Sequence, residues 1–426
     1  MTESKRPFQN NDPSCQSDHD PRSLPVTAAW ERIRAELHPV RGTAHVAVRT
    51  ALDRVLARDV HSTVDVPASR NAAMDGYAVR GADLPATGEV QLTRVNTLYA
   101  GAAMDQPIAA GECVRIMTGA PIPPGADTVV MQENASADGN TITFRGGETV
   151  GQHIREAGED LSRGEVVLKA GQRIGPAELG MLGSLGLVEV PVYRRLRVAF
   201  FSTGDELRTA GSTLHPGQIY DSNRYTIHAV LQRLGVEATD MGVVPDDPDA
   251  MERAFADAAS FADAIITSGG VSVGEADFVK EILGRLGEVG FWKIAMRPGR
   301  PLAFGTIGDA RFFGMPGNPV SVVATWYQFV QPALRRLMGE DPQMPTTFRV
   351  RTAARLRKRP GRTEFQRGIL ERDDTGELVV HTTGSQGSGI LRSVSLANCF
   401  IVLAHDSGDV ESGAYVEVQP FHGVVG

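Results

Sequence analysis

The segment Ser268-Gly269-Gly270-Val271-Ser272-Val273-Gly274-Glu275-Ala276-Asp277 constrains this chain most, because it joins an apolar run, Ala264-Ile265-Ile266, to a stretch with helical spacing. A strand, a glycine-rich turn and a helix start make an anion cradle. Glycines reach positive φ and let the backbone approach a ligand, while the unpaired amides of the first helical turn point at negative charge. Glu275 and Asp277 add hard oxygens, so an anionic ligand and a divalent cation are expected to meet there. Gly270-Val271-Ser272-Val273-Gly274 also satisfies the GxSxG elbow of serine hydrolases, with His381, His405 and His422 downstream. No His-Gly-Gly-Gly loop precedes it and those histidines fall in what reads as a separate β module, which makes hydrolysis the lesser reading. For the loop taken alone, a plain connecting turn is the alternative.

A chain of 426 residues exceeds one ordinary core, so several domains are expected. Residues 1–24, rich in Asn, Asp, Ser and Pro, read as a disordered tail. Helical spacing covers residues 27–37 and again 47–56, where Ala51, Leu52, Val55 and Leu56 share a face. Residues 25–60 and 148–193 form an N-terminal linker domain of mixed structure, with a helix at 176–187 and a strand at 188–190. Short alternations between Gly, Pro and Asn turns assign 61–147 to a small β domain. From 194 to 341 the chain alternates, with strands at 198–201, 240–244, 263–267 and 311–315 and helices at 227–234, 248–260, 275–286 and 319–338. That is a three-layer α/β domain, whose ligands sit beyond the carboxyl ends of its strands. Residues 342–426 read as a C-terminal β-barrel-like domain, so the fold class is multidomain α/β plus β.

The net charge of -8 argues against nucleic acid or an acidic membrane as partner, so an anionic ligand must be gripped by placed groups. Cys15, Cys113 and Cys399 are too few for a disulfide framework, which points to the cytoplasm. Neither a signal peptide nor a membrane span is expected.

Carboxylates recur beside turns: Asp75, Asp160, Glu206, Asp246, Asp247 and Asp277. Each alone suits a turn or helix cap. Several at the strand ends of one α/β domain suit Mg²⁺, which takes oxygen ligands and bridges substrate phosphates. The run Trp292-Lys293-Ile294-Ala295-Met296-Arg297-Pro298-Gly299-Arg300-Pro301 sets Arg297 and Arg300 on a Pro-Gly corner, where guanidinium forks grip oxyanions. A solvated basic loop is the plain alternative. A second candidate ligand loop is Gly314-Met315-Pro316-Gly317-Asn318-Pro319, with Asn318 suited to cap a helix that Pro319 starts.

In order, the segments 71–80, 117–120, 155–160, 202–207, 268–277, 293–301 and 315–320 resemble the molybdopterin molybdenumtransferase family and the related E domain of gephyrin, over about residues 27–420. The α/β segment alone is also similar to molybdopterin adenylyltransferases and competence-damage-inducible proteins. The resemblance implies a homodimer of L-shaped protomers with four domains, in which the cleft of the α/β domain is completed by the partner's small β module. It implies a reaction in which adenylylated molybdopterin and molybdate are substrates, Mg²⁺ assists and AMP leaves. By motif it assigns Asp75, Thr118 and Glu206 to turnover, and Asp246, Asp277 and Glu206 to the metal. It assigns Arg155, Asp160, Ser268, Gly269, Gly270, Ser272, Gly274, Lys293, Arg297, Arg300, Pro316, Pro319, Arg367 and Ser388 to substrate. A molybdopterin adenylyltransferase and molybdoenzyme maturation factors are implied partners. A gephyrin-like scaffold is the non-catalytic alternative. Many relatives carry lysine where this chain has Arg297 and Arg300, and lysine is scarce throughout, at positions 5, 169, 280, 293 and 358 only.

Overall fold

The computed structural model describes residues 23–270 and 277–421. By contacts it divides into two units, His45–Val192 and the remainder. The first helix, α1 (Val26–Glu36), belongs to the second unit and buries Val26, Ala29, Trp30 and Ile33 on one stripe.

In the His45–Val192 unit a six-stranded sheet is built from β1 (Gly76–Val79), β2 (Glu89–Leu98), β3 (Glu112–Ile116), β4 (Thr128–Met131), β5 (Ala135–Asp138) and β6 (Thr141–Arg145), in the order β4-β1-β3-β2-β6-β5. Central β1 pairs antiparallel with both β3 and β4. A Cβ at Gly76 would fall 2.0 Å from the Val130 carbonyl oxygen, so only glycine starts this strand. The rest of the unit packs helix α2 (Pro176–Ser184) into a core with Ala51, Leu56, Leu168, Ile174 and Val192. The helix expected at 47–56 is absent. Residues 48–50 make one 3-10 turn, Asp53 is left-handed at φ 61°, and the Leu56 amide pairs with Gln172. The apolar residues at helical spacing do not share one helical face: Ala51 and Leu56 reach the core separately, and Leu52 is exposed.

The second unit holds the α/β domain. Its elements are β7 (Arg197–Thr203), α3 (Ser222–Leu234), β8 (Glu237–Val244), α4 (Pro248–Phe261), β9 (Ala264–Ser268), α5 (Asp277–Leu286), β10 (Gly287–Lys293), β11 (Pro301–Ile307) and β12 (Ala310–Met315). The sheet runs β8-β7-β9-β12-β11-β10, and its first four strands are the parallel ones expected from sequence. The antiparallel extension β11-β10 was not expected, because Pro301, Gly287, Gly290 and Gly305 obscure the alternation. The long final helix is interrupted: α6 (Pro319–Thr325), a π turn at Trp326–Val330, then α7 (Gln331–Leu337). Pro332 explains the widening. It lacks an N–H and its ring crowds the carbonyl one turn back, and the neighbouring Gln331 amide reaches five residues back to Trp326.

The C-terminal strands are β13 (Phe348–Thr352), β14 (Thr363–Arg372), β15 (Leu378–Thr382), β16 (Cys399–Leu403) and β17 (Tyr415–Pro420), with helix α8 (Leu391–Leu396) between β15 and β16. The order β14-β15-β13-β17-β16, with β16 also paired to β14, closes a five-stranded barrel. Met296 and Arg297 add to its outside by pairing with Thr363 and Glu364. Cys113 and Cys399 are free and buried, and desolvation pushes each thiol up to about 12. Among the described residues no helix is long and apolar enough to cross a membrane.

The tail expected over 1–24 was drawn too long at its carboxyl end. Leu24 forms a parallel bridge to Ile294, donating to the Lys293 carbonyl at 2.8 Å and accepting from Ala295 at 2.7 Å. A chain starting at Ser23 is therefore expected to be more stable than one starting at Pro25 by about 1–3 kcal/mol, the worth of two backbone hydrogen bonds. Denaturant melts of the two truncations check this, and coincident midpoints would show that the bridge contributes nothing.

Candidate functional site

In the first unit the pairing of β1 with β3 sets Gly76 opposite Ile116, so Asp75 and Thr118 emerge together at one end of the sheet. One Asp75 oxygen, Oδ1, accepts from the Thr118 amide and from its hydroxyl, both at 2.7 Å. These two bonds, the amide first, hold the carboxyl below the usual aspartate range, with Arg115 adding a smaller pull. The other oxygen is left for a ligand or solvent. The segment 71–72 is clasped on both sides: Gly119 donates to Ala72, and Asn71-Ala72 pairs with Ile154-Arg155. Thus three of the seven sequence motifs share one edge. Within this group Arg155 is exposed, and Asp160 is a turn residue whose amide donates to Val66.

In the second unit the parallel strands end within one residue of one another, with Ser202 beside Ser268 and Ser268 beside Met315. Three loops consequently converge: 203–207, the glycine turn after Ser268, and 316–318. Gly269 and Gly270 are left-handed, at φ 92° and 67°. Side chains there would also strike Thr203, whose carbonyl oxygen lies 2.6 Å from a Cβ on Gly269 and whose hydroxyl lies 2.8 Å from one on Gly270. The expected cradle turn is therefore present up to Gly270. Ser272, Gly274, the hydrolase elbow and His422 lie outside the described residues; Asp277 opens α5, but its side chain lies outside them too.

Asn223, which sequence reasoning passed over, ties these loops. Its amide donates to Ser268 Oγ at 2.8 Å and to the Gly317 carbonyl at 2.6 Å. Ser268 Oγ reaches the Pro316 carbonyl at 3.3 Å. Among the described residues Asn223 Oδ1, Thr203 Oγ1 and Ser202 Oγ are buried without hydrogen-bond partners, so the cluster holds spare polar capacity beside the cradle. The only sequence signal was an amide side chain one position inside a helix capped by Asp221.

The carboxylates divide. Glu206 folds over Gly204, where an added Cβ would stand 2.5 Å from its Oε2. The Asp246 amide donates to Asp205 Oδ1 at 3.2 Å, which brings those two loops together. Asp247 is a helix cap, accepting from Ala250, as the plain turn reading had it. Among the described residues no three His, Cys, Asp or Glu side chains converge on a point that would hold a metal ion.

The basic corner is not one loop. Lys293 ends β10 and is paired with Pro301, while the Arg300 carbonyl accepts from Ile294. Arg297 stands against the barrel, where a cavity of about 290 Å³ is lined by Arg297, Arg355, Arg357, Glu364, Arg367 and Gln386, among others. Arg367 is 1% exposed and pairs with no carboxylate among the described residues. It donates instead to Ser393 Oγ at 3.0 Å and the Gly387 carbonyl at 3.1 Å. Desolvation, then repulsion from Arg297, brings its guanidinium down to about 10. A cavity lined by four arginines and one glutamate suits an oxyanion. The neighbouring Ser388 carbonyl accepts from Val320, so Pro316, Pro319, Ser388 and Arg367 lie along one connected path. His381 and His405 belong to the barrel, His381 standing 3.4 Å from Glu371.

Comparison with known proteins matches this arrangement throughout the chain. Residues 24–186 match a family model described as the MoeA N-terminal region, 199–336 a probable molybdopterin binding domain, and 349–421 the MoeA C-terminal region. A molybdopterin molybdenumtransferase from Haemophilus influenzae is 44% identical over 386 residues, which are 90% of this chain and 95% of that protein. One from Nostoc is 37% identical, covering 90% of each. A crystal structure of a molybdopterin biosynthesis MoeA protein from Pyrococcus horikoshii superposes with a TM-score of 0.81 at 28% identity, over 94% of this chain and all of that one. With three family models in succession between residues 24 and 421 and relatives matched along nearly their whole length, the chain belongs to the molybdopterin molybdenumtransferase family.

Proposed function

We propose that this protein inserts molybdenum into molybdopterin, taking adenylylated molybdopterin and molybdate as substrates and releasing AMP. The observation that carries this reading is the buried Arg367, without a carboxylate partner among the described residues, in the same unit as the glycine cradle and linked to it through Ser388 and Val320. The reaction needs two anion seats, one for phosphate and pterin and one for a tetrahedral oxyanion. The cradle at Ser268–Gly270 with Asn223 suits the first, and the Arg297–Arg367 cavity suits the second. Spare acceptors on Asn223 and Thr203 suit the ring N–H groups of a pterin.

Glu206, Asp246 and Asp277 are assigned to Mg²⁺ by their hard-oxygen chemistry, one or two carboxylates sufficing where phosphate and water fill the remaining positions. When bound it would neutralise charge on the phosphates. Asp75, held in place by Thr118, supplies a fixed negative group that orients a proton donor or cation near the leaving group. A homodimer in the cytoplasm, in which Asp75 of one chain serves Glu206 of another, is part of the proposal. The intact pair Asp75–Thr118 favours this enzymatic reading over a scaffold, which has no use for a fixed carboxylate.

Three outcomes are expected. Asp75→Asn and Glu206→Gln each abolish AMP release while leaving the melting temperature unchanged; near-normal release in both would put the scaffold reading ahead. Mixing the two inactive chains restores about a quarter of wild-type activity if each site draws on both subunits of a symmetric dimer, whereas a strictly additive zero would place both residues in one chain's site. Asp75 titrates below the ordinary value of about 3.9; its bonds to Thr118 are complete above that pH and are lost as pH falls through the depressed folded value. Thr118→Val removes the hydroxyl donor, and carboxyl NMR then shows the titration moving part of the way up. An unmoved titration would mean that the amide alone sets it.

A further inference from the structure

We propose that Glu364 is the counter-ion that limits the affinity of the oxyanion cavity, holding Arg297 until a tetrahedral dianion takes the guanidinium over. The inference rests on the reading of that cavity as an anion seat. Glu364 is 3% exposed and sits directly across from Arg297 in the strand pairing. Its two oxygens differ. Oε2 accepts from Gln366 Nε2 at 3.1 Å, and Gln366 is itself held by the Arg357 carbonyl at 2.9 Å, so that side of the carboxylate is fixed. Oε1 is buried and accepts no hydrogen bond from any of the described residues, although Arg297 Nη1 stands 3.6 Å away. That separation keeps the Coulomb attraction but falls beyond hydrogen-bonding contact.

A half-satisfied carboxylate in a buried wall costs stability, a cost that the nearby charges of Arg297 and the buried Lys358 offset in part. Its effect on the cavity is to offset part of the positive charge of the four arginines that line it. An oxyanion that enters meets attraction from Arg297 and Arg367 and repulsion from Oε1. Binding is therefore favourable without being a trap, as suits a substrate that must pass on to another ligand. Uniform extra affinity would lower the KM for molybdate without raising kcat.

Calorimetry on the full-length protein with sodium molybdate and sodium sulfate tests this with Glu364→Gln, Glu364→Asp and Arg367→Met. Glu364→Gln keeps the shape and the Gln366 contact, and turns the unpaired acceptor into a donor. It is expected to bind both anions about tenfold more tightly or better, with molybdate KM falling in parallel and kcat not rising. Glu364→Asp draws the charge back by one methylene and should shift affinity the same way by less, which keeps the test open should the Gln variant fold poorly. Affinity that is unchanged or weaker in both Glu364 variants, while Arg367→Met loses binding, would overturn the role of Glu364 and leave the seat standing. Arg367→Met binding molybdate like wild type would sink the seat itself, and this proposal with it.

Discussion

The near-level ending of three parallel strands is the constraint on which the α/β domain's chemistry rests. Ser202, Ser268 and Met315 stand side by side in the sheet, so the loops that follow leave the same edge together. Had β9 run one residue longer, the glycine turn would have overshot Thr203 and the side chains after it would have changed faces. Asn223 then spans what the register has brought near, holding the Ser268 hydroxyl and the Gly317 carbonyl with one amide. The strands set the distance, and a single side chain keeps the loops from drifting apart.

A different logic governs the barrel. Strand β14 pairs with β15 and β16 to close the ring, and its outer start also takes Met296 and Arg297 from the α/β domain. Glu364 and Arg367 sit three residues apart on that strand and line the same cavity. One rigid element thus carries a buried cation and a buried anion whose spacing the sheet fixes, and Arg297 is brought to them by backbone pairing. Ser393, on α8, accepts from the Arg367 guanidinium, and Gln386 accepts from the Arg367 amide.

The sequence disclosed most where periodicity and turn chemistry agreed. Strands β7, β8, β9 and β12, helices α3 and α4, and the Pro319 helix start follow directly from apolar runs and capping residues. Legibility failed where tertiary contacts overrode the pattern. The 47–56 stretch had helical spacing, yet Asp53 turned left-handed and its apolar residues went to a mixed core. Strands β10 and β11 hid behind glycine and proline, and nothing local announced that Pro332 would widen a helix. For the site, glycines and basic residues in ordered motifs were readable. Asn223 and Glu364 were not, since a polar side chain becomes informative only when burial strips away its water, and burial is a property of the folded chain.

The grip on Asp75 comes in two kinds. The Thr118 hydroxyl belongs to a codon and can be lost by a single substitution. The Thr118 amide belongs to the main chain, and every residue except proline supplies it. Because the amide bond is the larger of the two influences, most replacements at 118 leave a dimmed but still ionised carboxylate in place. Position 118 thus holds its carboxylate by a main-chain anchor that mutation cannot easily remove and a side-chain one that it can.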